Sequence, residues 1–222
     1  MTPAMEITYL GHSSFRLRGR EVTLVTDPYA DPELGFNFPK TEAEIVTISH
    51  GHQDHNAAAK VAGNPFIIDG PGEYEVKGVS VFGISSFHDA KQGKERGVNN
   101  IYLIEMDGLR ICHLGDLGEQ LSDEKLAELD GVDILLIPVG GFYTLGPKEA
   151  SDLVTKIEPL MVLPMHFKVA KMGANYAKLA PVEEFLKEMG VEKVSPLPKL
   201  LIAKDKLPGP EERQIVILER KG

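Results

Sequence analysis

The sequence predicts a mixed α/β fold in which two mixed β-sheets stack face to face and helices cover their outer faces. Short segments rich in β-forming residues fill the first half of the chain, and strand and helix patterns alternate in the second half. The chain has 222 residues, of which 42% are hydrophobic, and this suffices for one substantial core. We therefore expect residues 1–222 to form a single domain without a separate accessory domain.

The first half of the chain is dominated by predicted strands that are separated by Gly, Asp and Pro. β-Branched and aromatic residues cluster or alternate over residues 6–10, 14–18, 22–26, 45–48, 66–68, 74–76 and 79–84. Residues 56–60 suit a short helix. Two further strands, residues 101–106 and 109–113, flank Asp107-Gly108, a dipeptide typical of a two-residue hairpin turn.

The second half alternates between helices and strands. Ser122 is predicted to cap a short helix that stops at Gly131. A second helix begins at Pro147, and a third spans residues 182–189. The buried face of the second helix is predicted to carry Ala150, Leu153, Val154 and Ile157. Strands are predicted over residues 133–137, 160–163, 199–203 and 214–218.

The composition excludes several classes of protein. A formal net charge of −9 argues against a broad surface for nucleic acid or anionic membranes, both of which rely on clustered Lys and Arg. Cys112 is the only cysteine, so no intrachain disulfide can form, and residues 1–10 lack the basic start and apolar core of a signal peptide. No apolar run approaches the ~18 residues of a membrane-spanning helix. We expect a soluble protein of the reducing cytoplasm.

The segment His50-Gly51-His52-Gln53-Asp54-His55 places four metal-capable side chains directly after the predicted strand 45–48. Alternate side chains of an extended segment share a face, so His50, His52 and Asp54 could converge, while His55 points to a different side. This spacing predicts a metal site at a strand end that could serve two ions. A polar loop without metal is the alternative interpretation.

The remaining histidines all fall beside predicted turns or strand ends, at His12, His88, His113 and His166. Ligands are usually mounted at the ends of rigid elements. His88, after the strand 79–84, and His166, at the end of the segment 161–165, are therefore candidate ligands. Asp116 follows the strand 109–113 and could bridge two ions through its two carboxylate oxygens.

Taken in order, these motifs resemble those of the metallo-β-lactamase superfamily. The resemblance covers most of the chain and is carried by Gly11-His12-Ser13-Ser14-Phe15, Asp27-Pro28, the His50 to His55 segment, His88, Gly115-Asp116 and Pro164-Met165-His166. It is strongest to the small single-domain hydrolases grouped with L-ascorbate-6-phosphate lactonase. The resemblance implies a four-layer αββα sandwich. It also implies a first metal at His50, His52 and His88, a second at Asp54, His55 and His166, and a bridging Asp116.

Seven such ligands, five of them imidazoles, would suit two divalent ions with one coordination position open for water, which indicates catalysis. We expect Zn²⁺, with Mn²⁺ and Fe²⁺ as alternatives. A bridging hydroxide would attack an acyl or phosphoryl centre, with Asp54 orienting the attacking water and His113 or His12 stabilising charge. The centre keeps a net positive charge, so we expect a small anionic ester, lactone or phosphoester as substrate.

Several alternatives stay open at this point. A metal-dependent nuclease or phosphodiesterase, an iron-dependent oxidoreductase and a non-catalytic metal-binding protein could share these ligands, and the sequence does not decide whether the protein self-associates. Asp27 either orients ligands or only forms an Asp-Pro turn. Cys112 is expected to be a small buried apolar residue. Four residues follow His166 closely enough to meet a substrate: Lys168, Lys171, Tyr176 and Lys178. They either contact an anionic substrate or belong to a solvated connecting segment.

Overall fold

The computed structural model describes residues 4–222. We expect no signal peptide in residues 1–10, and the first three of these lie outside the described residues. The strands in chain order are β1 (Met5–Gly11), β2 (Ser14–Arg18), β3 (Thr23–Thr26), β4 (Thr41–Glu42), β5 (Ile45–Thr47), β6 (Val61–Ala62), β7 (Phe66–Ile68), β8 (Gly72–Val76), β9 (Val79–Phe87), β10 (Val98–Met106), β11 (Leu109–His113), β12 (Ile134–Pro138), β13 (Met161–Met165), β14 (Leu200–Ile202) and β15 (Gln214–Ile215). The α-helices are α1 (Asp123–Glu128), α2 (Pro147–Ile157) and α3 (Val182–Glu188).

The strands form two large mixed sheets. The first has the order β14-β1-β2-β3-β5-β7 and the second the order β15-β13-β12-β11-β10-β9-β8, while β4 pairs with β6. In the first sheet β1 and β2 are antiparallel, whereas β3, β5 and β7 are parallel. In the second sheet β9, β10 and β11 alternate in direction, whereas β11, β12 and β13 are parallel. The predicted mixed pairing is confirmed.

The main apolar core contains residues from both sheets. Ile7 of β1 and Ile101 of β10 belong to it, together with the buried face of α2. Leu10, Val25 and Val46 of the first sheet belong instead to a smaller cluster. Successive side chains of a strand point to opposite faces, so the first sheet presents one face to each cluster. All five residues of β12 are buried, as expected for a strand covered on both sides.

The three α-helices lie together on the second sheet. Helices α1 and α2 connect parallel neighbours, β11 to β12 and β12 to β13, and right-handed crossovers place both on the same face. Helix α3 packs against α2. Outside the first sheet, the smaller cluster is covered by β6 and by a 3₁₀ turn at Ala58–Lys60, where we expected a short helix. Three residues before β6 are too few for an α-helix.

The end of β9 and the turn between β10 and β11 can be compared with the bounds predicted from the sequence. Strand β9 extends to Phe87, three residues beyond the predicted end, so that His88 directly follows it. The hairpin between β10 and β11 turns at Asp107 and Gly108, with φ values of +52° and +80°, as expected for its Asp-Gly turn. Among residues 4–222, no helix combines the length and apolar character needed to cross a lipid bilayer.

Candidate metal centre

The candidate ligands meet at one edge of the two sheets. His88, Asp116 and His166 follow the ends of β9, β11 and β13, three strands of the second sheet that run in the same direction. Residues 50–55 follow β5 of the first sheet. Because the carboxyl ends of strands that run in the same direction lie at one edge, distant parts of the chain deliver their side chains to a common place.

Three residues beside this edge have left-handed backbone conformations. The φ values are +55° at His12, +38° at Asp27 and +51° at His166, and each residue lies just after a strand. Residues other than glycine rarely adopt such values. Unusual conformations of this kind cluster at functional sites, where the surrounding structure holds them in place.

A first group of ligand atoms comes from His50, His52 and His88. These atoms lie within 4.8 Å of one another, and two of the three residues, His50 and His88, are buried. The Nε2 atom of His50 is buried without a hydrogen-bond partner within residues 4–222. Three imidazoles gathered in this way could hold one divalent ion.

A second group consists of His12, Asp54, His55 and His166, whose ligand atoms also lie within 4.8 Å of one another. Sequence analysis grouped Asp54, His55 and His166 but left His12 outside the ligand set. In the structure the His12 Nε2 atom is 3.0 Å from Asp54 Oδ2. His55 Nε2, like His50 Nε2, is buried and lacks a hydrogen-bond partner in the described part of the chain.

Asp116 lies between the two groups. Its Oδ2 atom is 3.3 Å from His55 Nε2, 3.3 Å from His88 Nε2 and 3.2 Å from His166 Nε2. His88 belongs to the first group and His55 and His166 to the second, so this one carboxylate faces both groups. The preceding residue must be glycine, because a Cβ atom at Gly115 would collide with Asn99 Oδ1.

The electrostatics of the cluster favour bound cations. Burial lowers the pKa of His50 to about 3 and that of His12 to about 4, so both rings are neutral at pH 7, the form that binds metal. Burial acts in the same direction on His55, but the carboxylates of Asp116 and Asp54 overcome it and raise its pKa well above the usual value. The two carboxylates thus attract positive charge, which divalent ions could supply.

Asp27 orients two of the candidate ligands. Its Oδ2 atom accepts hydrogen bonds from His55 Nδ1, at 2.8 Å, and from Ser49 Oγ, at 2.5 Å. Because the Ser49 hydroxyl donates to Asp27, its oxygen is left to accept from His50 Nδ1, at 2.9 Å. Both rings therefore donate a hydrogen bond through Nδ1, and Nε2 is the atom that faces the other candidate ligands.

His88 has the same arrangement. Its Nδ1 atom donates to the Tyr143 carbonyl oxygen, at 3.1 Å, and its Nε2 faces Asp116. Metal-binding histidines almost always donate their outer N–H to a carboxylate or carbonyl, which fixes the tautomer and the ring orientation. The Nδ1–H donation that His50, His55 and His88 share fits a metal centre.

His113, which the sequence suggested for charge stabilisation, is held by backbone groups instead of facing the other candidate residues. It is completely buried, and its Nε2 donates to the Ser13 carbonyl at 2.8 Å while its Nδ1 accepts from Gly115 N at 3.3 Å. Both ring nitrogens are thus occupied by backbone groups, and the ring connects the ends of β1 and β11. Its neighbour Cys112 is buried and unpaired, which confirms the expectation of a small apolar residue.

Residues of both groups, together with Asp116, line a cavity of about 320 Å³: His52 and His88 from the first, Asp54 and His166 from the second. Beyond the ligands, its walls include Arg96, Tyr143, Asn175 and Tyr176. The Tyr176 hydroxyl lies 2.9 Å from Asp54 Oδ2 and 2.7 Å from Asp31 Oδ2. A cavity of this size suits a small molecule.

Of the four residues after His166 that could contact a substrate, Tyr176 lines the cavity, whereas the three lysines do not. Lys168 Nζ donates to the Ala177 carbonyl, and Lys178 Nζ lies 4.6 Å from the centre of the Phe142 ring. Lys171 is exposed. For these lysines the structure favours the alternative of a solvated segment.

Sequence analysis missed Arg96 and Asn175 as cavity residues. The sequence does offer a pattern that points to Arg96. This residue lies in a short segment directly after His88, and the same segment contains two further basic residues, Lys91 and Lys94. A basic loop next to a candidate metal ligand is a reasonable place to look for substrate contacts. Asn175 has no comparable signal, since its position depends on how residues 174–176 fold over the site.

Comparison with known proteins agrees with this fold and site. The beta-lactamase superfamily domain matches residues 6–166. A metal-dependent hydrolase of Thermococcus onnurineus is 32% identical over 213 residues, which cover 84% of this chain and 92% of the relative. A Thermotoga maritima structure, described as a Zn-dependent hydrolase of the metallo-β-lactamase superfamily, has a TM-score of 0.78 and 37% identity over 96% of this chain and 98% of that one.

A more distant structure shares the fold alone. It is a metallo hydrolase of Ignicoccus hospitalis, with a TM-score of 0.63 and 21% identity over 90% of this chain and 98% of that chain. The sequence match to the superfamily domain covers most of the chain and includes every candidate ligand from His12 to His166. The ordered motifs, the two mixed sheets and these matches agree, and the chain belongs to the metallo-β-lactamase superfamily.

Proposed function

We propose that this protein is a hydrolase that uses two adjacent divalent ions to cleave a small anionic ester, lactone or phosphoester. The observation that carries the proposal is the pair of ligand groups that share Asp116 at a cavity. Relatives named as metal-dependent hydrolases support the reaction class. The finer points, which are the number of ions, their identity and the substrate, are our proposal.

The first ion would be held by His50, His52 and His88, and the second by Asp54, His55 and His166, with Asp116 shared. Nitrogen-rich ligation favours Zn²⁺, and Mn²⁺ or Fe²⁺ are the alternatives. The Thermotoga protein is described as Zn-dependent, which supports zinc. When bound, such ions polarise a carbonyl or phosphoryl oxygen and lower the pKa of water to about 7.

Asp54 is the residue proposed to orient the attacking water. Its Oδ2 atom lies within hydrogen-bond distance of His12 Nε2, at 3.0 Å, and of the Tyr176 hydroxyl, at 2.9 Å. Both contacts are to the same oxygen and restrict the motion of the carboxylate at the cavity wall. A fixed carboxylate can hold a water proton in a defined direction, which reduces the entropy lost on reaching the reactive geometry.

A small-molecule substrate is favoured over nucleic acid. The cavity measures about 320 Å³, and the chain has a formal net charge of −9. Long nucleic acids are bound through extended basic surfaces, which an acidic chain does not favour. We also propose a cytoplasmic location, because the chain contains one cysteine and that cysteine is buried as a free thiol.

The test measures the metal content of the purified protein together with hydrolysis of a panel of lactones, phosphodiesters and phosphomonoesters. We expect about two ions per chain, loss of hydrolysis with a chelator, and recovery with one added metal. Asp116→Asn should weaken metal binding by about 100-fold or more, since even residues that only orient ligands contribute 10–100-fold. Exposed Asp130→Asn is the matched control.

Two outcomes would contradict the proposal. Hydrolysis that persists undiminished in metal-free protein would exclude metal-assisted chemistry. Bound iron together with oxygen consumption, and no hydrolysis across the panel, would instead favour the iron-dependent oxidoreductase.

A further inference from the structure

We propose that Arg96 binds an anionic group of the substrate that is separate from the bond being cleaved. This inference rests on the proposed hydrolase function and assigns to its substrate a carboxylate or phosphate group. Arg96 lines the same cavity as the candidate metal ligands. Its guanidinium is always positively charged, so it is suited to bind an anion and not a metal ion.

The backbone of Arg96 is held by a single buried carboxylate. Asp89 is 3% exposed and accepts four backbone N–H hydrogen bonds. Oδ1 binds Lys91 N and Gly93 N at 2.8 and 3.0 Å, and Oδ2 binds Glu95 N and Arg96 N at 3.0 and 2.8 Å. The Asp89 side chain therefore holds the backbone of this loop together, and it fixes the position of the Arg96 backbone.

The same loop is tied to a candidate metal ligand. The backbone N–H of His88 donates to the Gly97 carbonyl at 3.1 Å, and Gly97 N donates to the Gly93 carbonyl at 2.9 Å. Gly93 has a φ of +76°, and a Cβ atom there would contact the Gly97 carbonyl oxygen at 2.9 Å. The distance between Arg96 and the metal centre is thus set by short, specific contacts.

The side chain of Arg96 is positioned by Tyr143. Its guanidinium carbon lies 5.5 Å from the centre of the Tyr143 ring, within the range of a cation–π contact. Tyr143 is itself fixed, because its hydroxyl donates to the Asn175 carbonyl at 2.7 Å and its own carbonyl accepts from His88 Nδ1. One residue therefore supports both the guanidinium and a candidate metal ligand.

Among residues 4–222, the guanidinium of Arg96 has no hydrogen-bond acceptor, so its donors stay available. The nearby carboxylate of Glu95 is 3.7 Å from Arg96 Nη1, which is longer than a hydrogen bond, and Glu95 pairs more closely with Lys91, at 2.6 Å. Arginine presents a planar fork of donors that matches carboxylate and phosphate oxygens. A partly exposed guanidinium that stacks on a ring and faces a cavity is well placed to bind such an anion.

The experiment compares wild type, Arg96→Gln, Arg96→Lys and Lys94→Gln as metal-loaded proteins, with inorganic phosphate as the probe and isothermal calorimetry as the readout. Lys94→Gln removes the same charge from the same loop, at an exposed position outside the cavity. Arg96→Gln should raise the Kd for phosphate about tenfold or more, the usual contribution of a charged hydrogen bond. Arg96→Lys should be intermediate, and Lys94→Gln should stay within about twofold of wild type.

A second measurement separates anion recognition from general damage. Mono-(4-nitrophenyl) succinate carries a carboxylate away from its ester, whereas 4-nitrophenyl acetate does not. Arg96→Gln should raise KM for the succinate ester and leave KM for the acetate ester unchanged. Unchanged phosphate affinity in fully metal-loaded Arg96→Gln, or equal KM changes for both esters, would overturn the inference. Metal content and wild-type hydrolysis are measured on the same samples, so a failure of the proposed function is detected separately.

Discussion

At the scale of single residues, the contacts of Asp27 distinguish between two roles that the sequence leaves open for it. It could orient metal ligands, or it could simply form the turn with Pro28. In the structure it contacts His55 and Ser49, and Ser49 contacts His50. A buried carboxylate with these partners does more than turn the chain.

Asp27→Asn tests this role, since asparagine still suits the turn but cannot accept hydrogen bonds on both side-chain atoms. We expect metal affinity to fall by about 10–100-fold, the usual effect of losing a residue that orients a ligand. Competition with a fluorescent zinc chelator measures the change, and Asp130→Asn is the control. Metal affinity equal to wild type would leave Asp27 as a turn residue only.

Cys112 gives a prediction about reactivity. The side chain is completely buried in β11, and burial raises the pKa of its thiol. The thiolate is the reactive form, so at pH 8 the native protein should be alkylated by iodoacetamide far more slowly than the protein unfolded in urea. Mass spectrometry of both samples checks this. Rapid labelling of the native protein would show that β11 is accessible to solvent.

The sequence predicts which residues are candidate ligands better than it predicts which residues contact and orient them. The spacing from His50 to His55 is local, and periodicity predicts that His50, His52 and Asp54 share a side. That prediction is wrong, because residues 49–55 form bends and turns and Asp54 lies with His55 in the second group, apart from His50 and His52. The contact of Asp27 with His55 and the support of Arg96 by Tyr143 join residues far apart in the chain. Such contacts depend on loop conformations that one sequence does not encode in a recognisable pattern.

At the scale of elements, α2 is the helix with the clearest amphipathic pattern. Ala150, Leu153, Val154 and Ile157 are all buried against the second sheet, as the sequence predicts. A short helix of this kind owes its stability mainly to such packing and only slightly to helix propensity.

Leu153→Ala should therefore lower the free energy of unfolding by about 2–5 kcal/mol, the range for truncating a buried leucine. Lys156→Ala on the exposed side of the same helix should change it by less than about 0.5 kcal/mol. Urea unfolding of metal-loaded samples, followed by circular dichroism, measures both. Equal effects of the two substitutions would argue against the packing of α2 on the sheet.

Local patterns predict elements well where one strong signal is present. Strands β2, β7 and β11 have the predicted bounds, and Pro147 begins α2 as expected. The segment 56–60 fails because a polar and alanine-rich stretch resembles a helix start, although only a 3₁₀ turn fits between residue 55 and β6. Strand order is set by long-range pairing, for which periodicity carries no information.

At the scale of the whole molecule, the candidate metal centre joins the two sheets. Residues 50–55 follow β5 of the first sheet, whereas His88, Asp116 and His166 follow strands of the second. Ions held between them would connect the sheets at one edge, in addition to the apolar core that contains residues of both.

Metal removal should consequently destabilise the protein. Ligands that bind only the folded state add about 2.7 kcal/mol per site at 100 times their Kd, so chelation should lower Tm by several degrees. Differential scanning calorimetry with and without a chelator measures this, and Asp116→Asn should show a much smaller difference. Identical melting curves for wild type would contradict the two-sheet role of the metal. A single cooperative transition is expected if residues 1–222 form one domain, as predicted.

The left-handed backbone at His12, Asp27 and His166 has a consequence for how this enzyme can be improved. Each such conformation costs of order 1–3 kcal/mol, which glycine at the same position would recover. Glycine would also delete the imidazole or carboxylate that the position exists to present. Because all three side chains are buried, glycine would also leave a cavity and unpaired neighbours, a loss at least as large as the strain it relieves. The strain at these positions is therefore not a reserve of stability, and a more heat-resistant variant has to be sought elsewhere in the chain.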